Sequence, residues 1–335
     1  MPSLERGSNR IVIAGVSSLL GAELKSLLEE SRFAASDFRL VDEPIAAGTL
    51  TEAGGEPAVI QPVEEGSFDR ARFVFFTGSG EFTRRNLAGA ERSGGTMVDL
   101  SGGIAADAKP VAWFPKLDVL LGREFKKNAA AYVIPSAAAT AAAALALALS
   151  KSGVRRLATI CFQPVSEAGR AGIEELESQT GQLLSFQGVG QPVFDTQVAF
   201  NMLDRFGPGS TQKLGAIRER VRAETKACLG KKAAIPSIQV VHTPVFYGTT
   251  FAAWAELDAG ADAEKMSGVC RDAGFVLATE GDAGTSNVSA AGEKFIQLAK
   301  PEADPSQPGT WWFWGAADNI RLPAANAVKL AEMLA

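Results

Sequence analysis

Short apolar runs alternate with helix-like segments through the first 130 residues. The runs are Arg10 to Ala14, Phe38 to Val41, Phe73 to Thr77, Met97 to Leu100, Val111 to Phe114 and Tyr132 to Ile134, and the helix-like segments include Ala22 to Glu30 and Thr83 to Ser93. Such alternation predicts a parallel sheet with crossover helices. The first run enters a glycine turn and then a helix, the order of a dinucleotide-binding unit.

Beyond Ala129 the pattern changes. The stretch from Ala129 to Leu149 is mostly alanine, interrupted by Tyr132, Pro135, Ser136 and Thr140, which predicts a buried strand followed by a buried helix rather than a bilayer span. Longer strands are expected at Leu157 to Val165, Ile238 to Phe246, Thr249 to Leu257 and Trp311 to Trp314, with amphipathic helices at Gly172 to Gln182 and Leu214 to Leu229. The segment Glu302 to Pro308 reads as a loop, and Leu322 to Ala335, with Pro323 in its first turn, as a final helix. The resulting organisation is α/β: a Rossmann-like dinucleotide-binding domain over residues 1–130, an α+β substrate and dimerisation domain over 131–315, and a C-terminal helix over 316–335.

With 46% hydrophobic and 21% charged residues in 335, the chain is long enough for two cores. A net charge of −5 and the lack of any long Lys/Arg cluster argue against nucleic acid as a partner. Three widely spaced cysteines, Cys161, Cys228 and Cys270, fit no metal motif, and a single histidine leaves no His-based metal site. Polar residues from Met1 to Asn9 give no signal peptide, so the expected compartment is the cytoplasm, with no membrane partner.

The turn after the first strand is Gly15-Val16-Ser17-Ser18-Leu19-Leu20-Gly21, with Ser18 where a dinucleotide fingerprint places its middle glycine. That hydroxyl would either crowd a phosphate or hydrogen-bond to it. About 20 residues on, Asp42-Glu43 ends the second strand, where an acid accepts ribose hydroxyls; the alternative is that both acids are solvated loop residues. The loop Thr77-Gly78-Ser79-Gly80 ends the next strand, and its small residues would allow close approach of a nucleotide or form an ordinary turn.

Four further strings stand in order along the chain: Ile134-Pro135-Ser136-Ala137-Ala138-Ala139-Thr140, Cys161-Phe162-Gln163-Pro164-Val165-Ser166-Glu167-Ala168-Gly169, Ala223-Glu224-Thr225-Lys226, and His242-Thr243-Pro244-Val245-Phe246-Tyr247-Gly248-Thr249. With the glycine turn and with Asp318-Asn319-Ile320-Arg321, they resemble the aspartate-semialdehyde dehydrogenase family along nearly the full length. That family interconverts an aldehyde and an acyl phosphate through a covalent thioester, which requires a thiol, a base and cations for carboxylate and phosphate.

The resemblance implies losses at each of these places. Aligned on Thr140, Ala138 stands at the nucleophilic cysteine, and a methyl group forms no thioester. Thr249 stands at the catalytic histidine, while the only histidine, His242, takes the place of a substrate-carboxylate arginine or serves as a structural residue. Ala105 replaces a phosphate-binding arginine, and Lys116 reads either as a cation nearby or as an ordinary surface lysine. Gln163, which orients the thioester in the family, is retained. Arg220 replaces a substrate-side lysine, and Arg220 with Glu224 reads equally as a helix ion pair.

The resemblance therefore implies a degenerate, Usg-type member with no intact catalytic set. Its expected substrate side is Arg220, Glu224 and His242, and its expected cofactor side is Gly15, Ser17, Ser18, Gly21, Asp42, Gly78 and Ser79. NAD is expected over NADP, because NADP-using relatives carry a Ser/Arg pair where this chain has two acids; a fully degenerate member would bind neither. A homodimer is expected through the substrate-domain sheet, with an unknown protein as a further partner. The alternative is an active NAD(P)-dependent oxidoreductase on an aldehyde in amino-acid biosynthesis, with Thr140, Ser136 or Cys161 supplying the reactive group.

Overall fold

A computed structural model of the chain describes residues 9–258, 262–279, 281 and 283–335, so the polar segment Met1 to Ser8 lies outside it. The strands are β1 (Arg10–Ala14), β2 (Asp37–Asp42), β3 (Leu50–Ala53), β4 (Glu56–Val59), β5 (Gln61–Pro62), β6 (Ala71–Phe76), β7 (Thr96–Asp99), β8 (Val111–Ala112), β9 (Ala131–Val133), β10 (Arg156–Gln163), β11 (Ser237–His242), β12 (Thr249–Glu256), β13 (Phe275–Leu277), β14 (Ile296–Leu298), β15 (Glu302–Ala303) and β16 (Thr310–Ala317). The helices are α1 (Leu19–Glu29), α2 (Gly80–Ser93), α3 (Leu117–Leu121), α4 (Ala137–Ser150), α5 (Gly169–Leu184), α6 (Leu214–Leu229), α7 (Ala263–Asp272) and α8 (Arg321–Leu334). Among the described residues, no helix is long and apolar enough to cross a membrane.

The chain divides into two compact units, one of Met1–Phe114, Phe125–Ile134 and Pro323–Ala335, the other of Pro115–Glu124 and Pro135–Leu322. In the first, the sheet order is β5-β2-β1-β6-β7-β9-β8, and every neighbouring pair runs parallel. Successive β1 side chains point to opposite faces. Ile11 and Ile13 join Leu24, Leu28, Phe73, Phe75 and the α8 residues Ala327 and Leu330 in one core, while Val12 and Ala14 join Val74, Phe76 and Phe82 in the other. Burial on both faces explains why these strands read as continuous apolar runs. Strand order reverses at β1, so the crevice beyond the carboxyl ends of β1 and β6 is where such a sheet receives a ligand.

The second unit carries a mixed sheet in the order β11-β10-β12-β16-β14-β13, with β15 added to β16. α4 is buried at every position from Ala137 to Leu149 and packs against α6, α7 and the sheet. Alanine is the residue that permits this close approach on all sides while favouring the helix. On the opposite face, Ile160 is paired with Ala252, which is paired with Trp314, and Ala158 with Trp254, which is paired with Trp312. This apolar row stays open: Ile160, Trp312 and Trp314 are 41%, 47% and 40% exposed.

Several elements depart from the sequence expectation. β11 ends at His242 instead of Phe246, because Pro244 has no N–H for the ladder and the chain turns with Val245 N donating to Thr243 O at 2.8 Å. β10 likewise ends before Pro164. The expected loop at Glu302 contains β15, whose Glu302 and Ala303 pair with Trp312 and Trp311. The β3–β4 hairpin, α3, α7, β13 and β14 had no counterpart in the sequence reading.

Candidate functional site

In the first unit the β1–α1 turn is held by close backbone contact. Gly15 sits at φ +95° and approaches the loop after β6 so nearly that a Cβ there would lie 2.2 Å from Gly78 N, and a Cβ on Gly21 would lie 2.5 Å from Gly15 O. Both outer glycines are thus required by packing, as a nucleotide turn demands. The Ser18 hydroxyl faces inward, donating to Thr77 O at 2.8 Å and accepting from Gly21 N at 2.9 Å as the N-cap of α1. The hydroxyl is thus committed to the turn. Ser79 caps α2 in the same way, accepting from Phe82 N at 3.0 Å.

Asp42 is 5% exposed. Its Oδ2 accepts from Ser17 N at 2.7 Å and its Oδ1 from Glu43 N at 2.8 Å. The carboxylate therefore fixes the end of β2 against the turn, and the reading of Asp42 as a solvated loop residue is corrected. Glu43 is not a lone acid either, because the Arg85 guanidinium of α2 pairs with it. That arginine was missed in the sequence, where 42 positions separate the two residues and no local signal joins them.

In the second unit, Ser136 is the N-cap of α4. Its backbone N–H and hydroxyl both donate to Glu224 Oε2, at 2.8 and 2.6 Å, while Glu224 Oε1 accepts from Arg220 Nε at 2.7 Å. Both readings of the Arg220–Glu224 pair meet here: it is an i, i+4 ion pair, and it also reaches the start of the helix that carries Ala138. Asn319 ties three loops together, its Oδ1 accepting from Gly248 N at 2.9 Å and its Nδ2 donating to Ser166 Oγ at 3.1 Å and Glu167 Oε1 at 3.2 Å. Desolvation raises the pKa of Glu167, Arg220 and the Asn319 hydrogen bond pull it down, and Glu224 adds to the rise, although the residue as a whole is exposed.

The positions expected to carry covalent chemistry are closed. Ala138 is 2% exposed and packs in an apolar cluster with Ala139, Ala142, Cys161, Val221 and Val240. Thr249 is 2% exposed, and its hydroxyl lies 3.5 Å from Gln163 Oε1, longer than an ordinary hydrogen bond between two oxygens. The substitute groups are engaged as well. Thr140 Oγ1 donates to Pro135 O at 3.3 Å, Ser136 is bound to Glu224, and burial pushes the Cys161 thiol up to about 12.

His242 is 1% exposed, with its ring 5.5 Å from Phe206 and 6.0 Å from Phe194 and its Nε2 3.4 Å from Val198 O. Burial lowers its pKa, against a smaller upward pull from the Val198 carbonyl. A neutral imidazole in an aromatic pocket presents no charge to a carboxylate, so of the two readings of His242 the geometry matches the structural one. Ala105 and Lys116 are both exposed, Ala105 just before a short 3-10 turn and Lys116 at the start of α3.

Residues 146–322 match the family model described as semialdehyde dehydrogenase, dimerisation domain. A USG-1 protein homolog of Azotobacter vinelandii is 29% identical over 330 residues, 97% of each chain, and aspartate-semialdehyde dehydrogenase 2 of Vibrio cholerae is 26% identical over 333 residues, again 97% of each. A solved structure of a probable aspartate-semialdehyde dehydrogenase from Pseudomonas aeruginosa superposes with a TM-score of 0.84 at 26% identity, covering 97% of this chain and 98% of that one. Matched by its dimerisation domain over more than half its length and similar to these proteins from end to end, the chain belongs to the semialdehyde dehydrogenase family, alongside aspartate-semialdehyde dehydrogenases and USG-1 homologs.

Proposed function

We propose that the chain is an aspartate-semialdehyde dehydrogenase-like protein without phosphorylating dehydrogenase activity, which keeps a dinucleotide turn suited to NAD and acts as a homodimer in a regulatory or scaffolding role. The observation that carries this reading is the sealed methyl group of Ala138. Thioester formation needs a thiolate that adds to the aldehyde carbon, and the subsequent hydride and phosphate steps depend on that adduct. Thr249 supplies no base at neutral pH, since a neutral hydroxyl is far too weak a base to take a proton from a thiol. Support for the retained turn comes from the packing of Gly15, Gly21 and Gly78 and from Asp42 at the strand end.

Purified protein mixed with aspartate semialdehyde, phosphate and either NAD or NADP is expected to give no turnover above an enzyme-free control. Turnover well above that control would overturn this reading in favour of an active NAD(P)-dependent oxidoreductase acting on an aldehyde.

A further inference from the structure

The end of β2 holds a charge arrangement with consequences for which nucleotide fits there. Asp42 is fixed by two backbone N–H groups, as described, and Arg85 reaches across from α2 to pair with Glu43. Arg39, the arginine on β2 itself, is turned away and donates to Gly66 O at 2.8 Å. Ile45, two residues beyond Glu43, is 96% exposed and offers an apolar surface beside the strand end. The arginine near this strand end is thus already engaged by a carboxylate.

We propose that Glu43 is a cofactor-specificity residue, excluding an adenosine 2′-phosphate by holding Arg85 and by adding its own negative charge. The inference rests on the reading that the β1–α1 turn takes a dinucleotide. A 2′-phosphate beside Asp42 faces two carboxylates and one paired guanidinium, a net repulsive set for a dianion. Neutralising Glu43 leaves one carboxylate and one guanidinium, that of Arg85, now free to turn to the phosphate as the side chain best matched to phosphate geometry. A half-exposed ion pair is weak by itself. Little is therefore lost in breaking it, and the freed Arg85 supplies most of the gain, which water and salt reduce to about a tenfold change in affinity. NAD has no 2′-phosphate and is nearly indifferent to the change.

Titration calorimetry on the full chain tests this, using NAD, NADP, 5′-AMP and adenosine 2′,5′-bisphosphate against the wild type, E43Q and E43Q with R85A. The wild type is expected to prefer NAD. E43Q should bind NADP and the bisphosphate about tenfold more tightly, with NAD and 5′-AMP changed by less than about twofold, and R85A should remove the gain. If NAD binds the wild type and E43Q leaves NADP unchanged, the inference fails while the dinucleotide reading stands. A gain that survives R85A overturns the role given to Arg85. Binding of none of the four probes by the wild type overturns the dinucleotide reading itself, and this inference with it.

Discussion

Glu224 Oε2 accepts both the backbone N–H and the hydroxyl of Ser136, so the N-terminus of α4 is capped by a carboxylate 88 residues away in the chain. Placed there, the carboxylate satisfies donors that the first turn leaves open and lies at the favourable end of the helix dipole. It also adds a polar link between α6 and α4 beside the apolar cluster that holds Ala138 and Val221.

The first prediction concerns this cap. Ser136→Ala should destabilise the protein by about 1 kcal/mol, the usual cost of losing an N-cap hydroxyl. Glu224→Ala should cost more, about 2–3 kcal/mol, because it removes the acceptor for a backbone N–H and a hydroxyl together with one partner of the half-exposed Arg220. Urea midpoints measure both. Equal stability of the Glu224→Ala variant and the wild type would show that water replaces the cap at no cost.

A second prediction is that native protein is inert to thiol reagents. Cys161, Cys228 and Cys270 are all free and buried. Burial pushes Cys161 and Cys270 up to about 12 and Cys228 higher still, its rise increased by Glu224 and opposed by Arg123. Thiolate and access are both lacking, so no labelling is expected until denaturant is added, when all three should react. Ala138→Cys would enter the same cluster as Cys161, and neither fast labelling nor aldehyde oxidation is expected from that change alone. Rapid reaction of the new thiol would mean that the position is reachable.

How much of this was legible in the sequence depends on how local the signal is. α6 reads to the residue, Leu214–Leu229, because its apolar periodicity is unbroken and Gly230 follows it. β11 was read four residues too long because hydrophobicity continues past Pro244 while hydrogen bonding does not. α7 was missed although Asp262 caps it, accepting from Lys265 N at 2.7 Å, and Met266, Val269 and Cys270 recur at helical spacing; at 10 residues it offers fewer than three turns over which that period can repeat. In the site, the glycines and Asp42 could be placed from spacing. The inward turn of Ser18 and the Arg85–Glu43 pair could not, because strand register and the packing of crossover helices set them.

A third prediction follows from His242, the one histidine in the chain. Burial lowers its pKa in the folded state from the ordinary value of 6.5. The unfolded chain then binds more protons than the folded one between the folded pKa and 6.5, so stability falls as pH drops below 6.5 and this contribution levels off once the folded pKa is passed. His242→Phe, which keeps an aromatic ring beside Phe194 and Phe206, should lessen the loss of stability between pH 7 and 5.5. Proton NMR of the single imidazole provides an independent check, and a midpoint at or above 6.5 would contradict the prediction.

The last prediction tests the homodimer in the proposed function. On the open face of the second unit's sheet, Ile160, Ala252 and Trp314 form one cross-strand row and Ala158, Trp254 and Trp312 another. Trp312 and Trp314 anchor their indole N–H groups on Asp304 Oδ2 and Thr285 O, at 3.0 and 2.8 Å, which leaves their rings held on the surface. An ordered apolar surface of this kind is typical of an interaction site, and a two-fold axis would cover it with one self-complementary patch. Residues 146–322, which match a dimerisation-domain model, include both rows. Ile160→Arg or Trp314→Arg puts a charge into the centre of that patch on both copies, where like charges would meet without solvent. Sedimentation velocity at micromolar concentration should show a dimer for the wild type and a folded monomer for either variant, with folding confirmed by an unchanged urea midpoint measured under monomeric conditions. A wild-type monomer, or a dimer unaffected by both substitutions, would place any self-association elsewhere on the molecule.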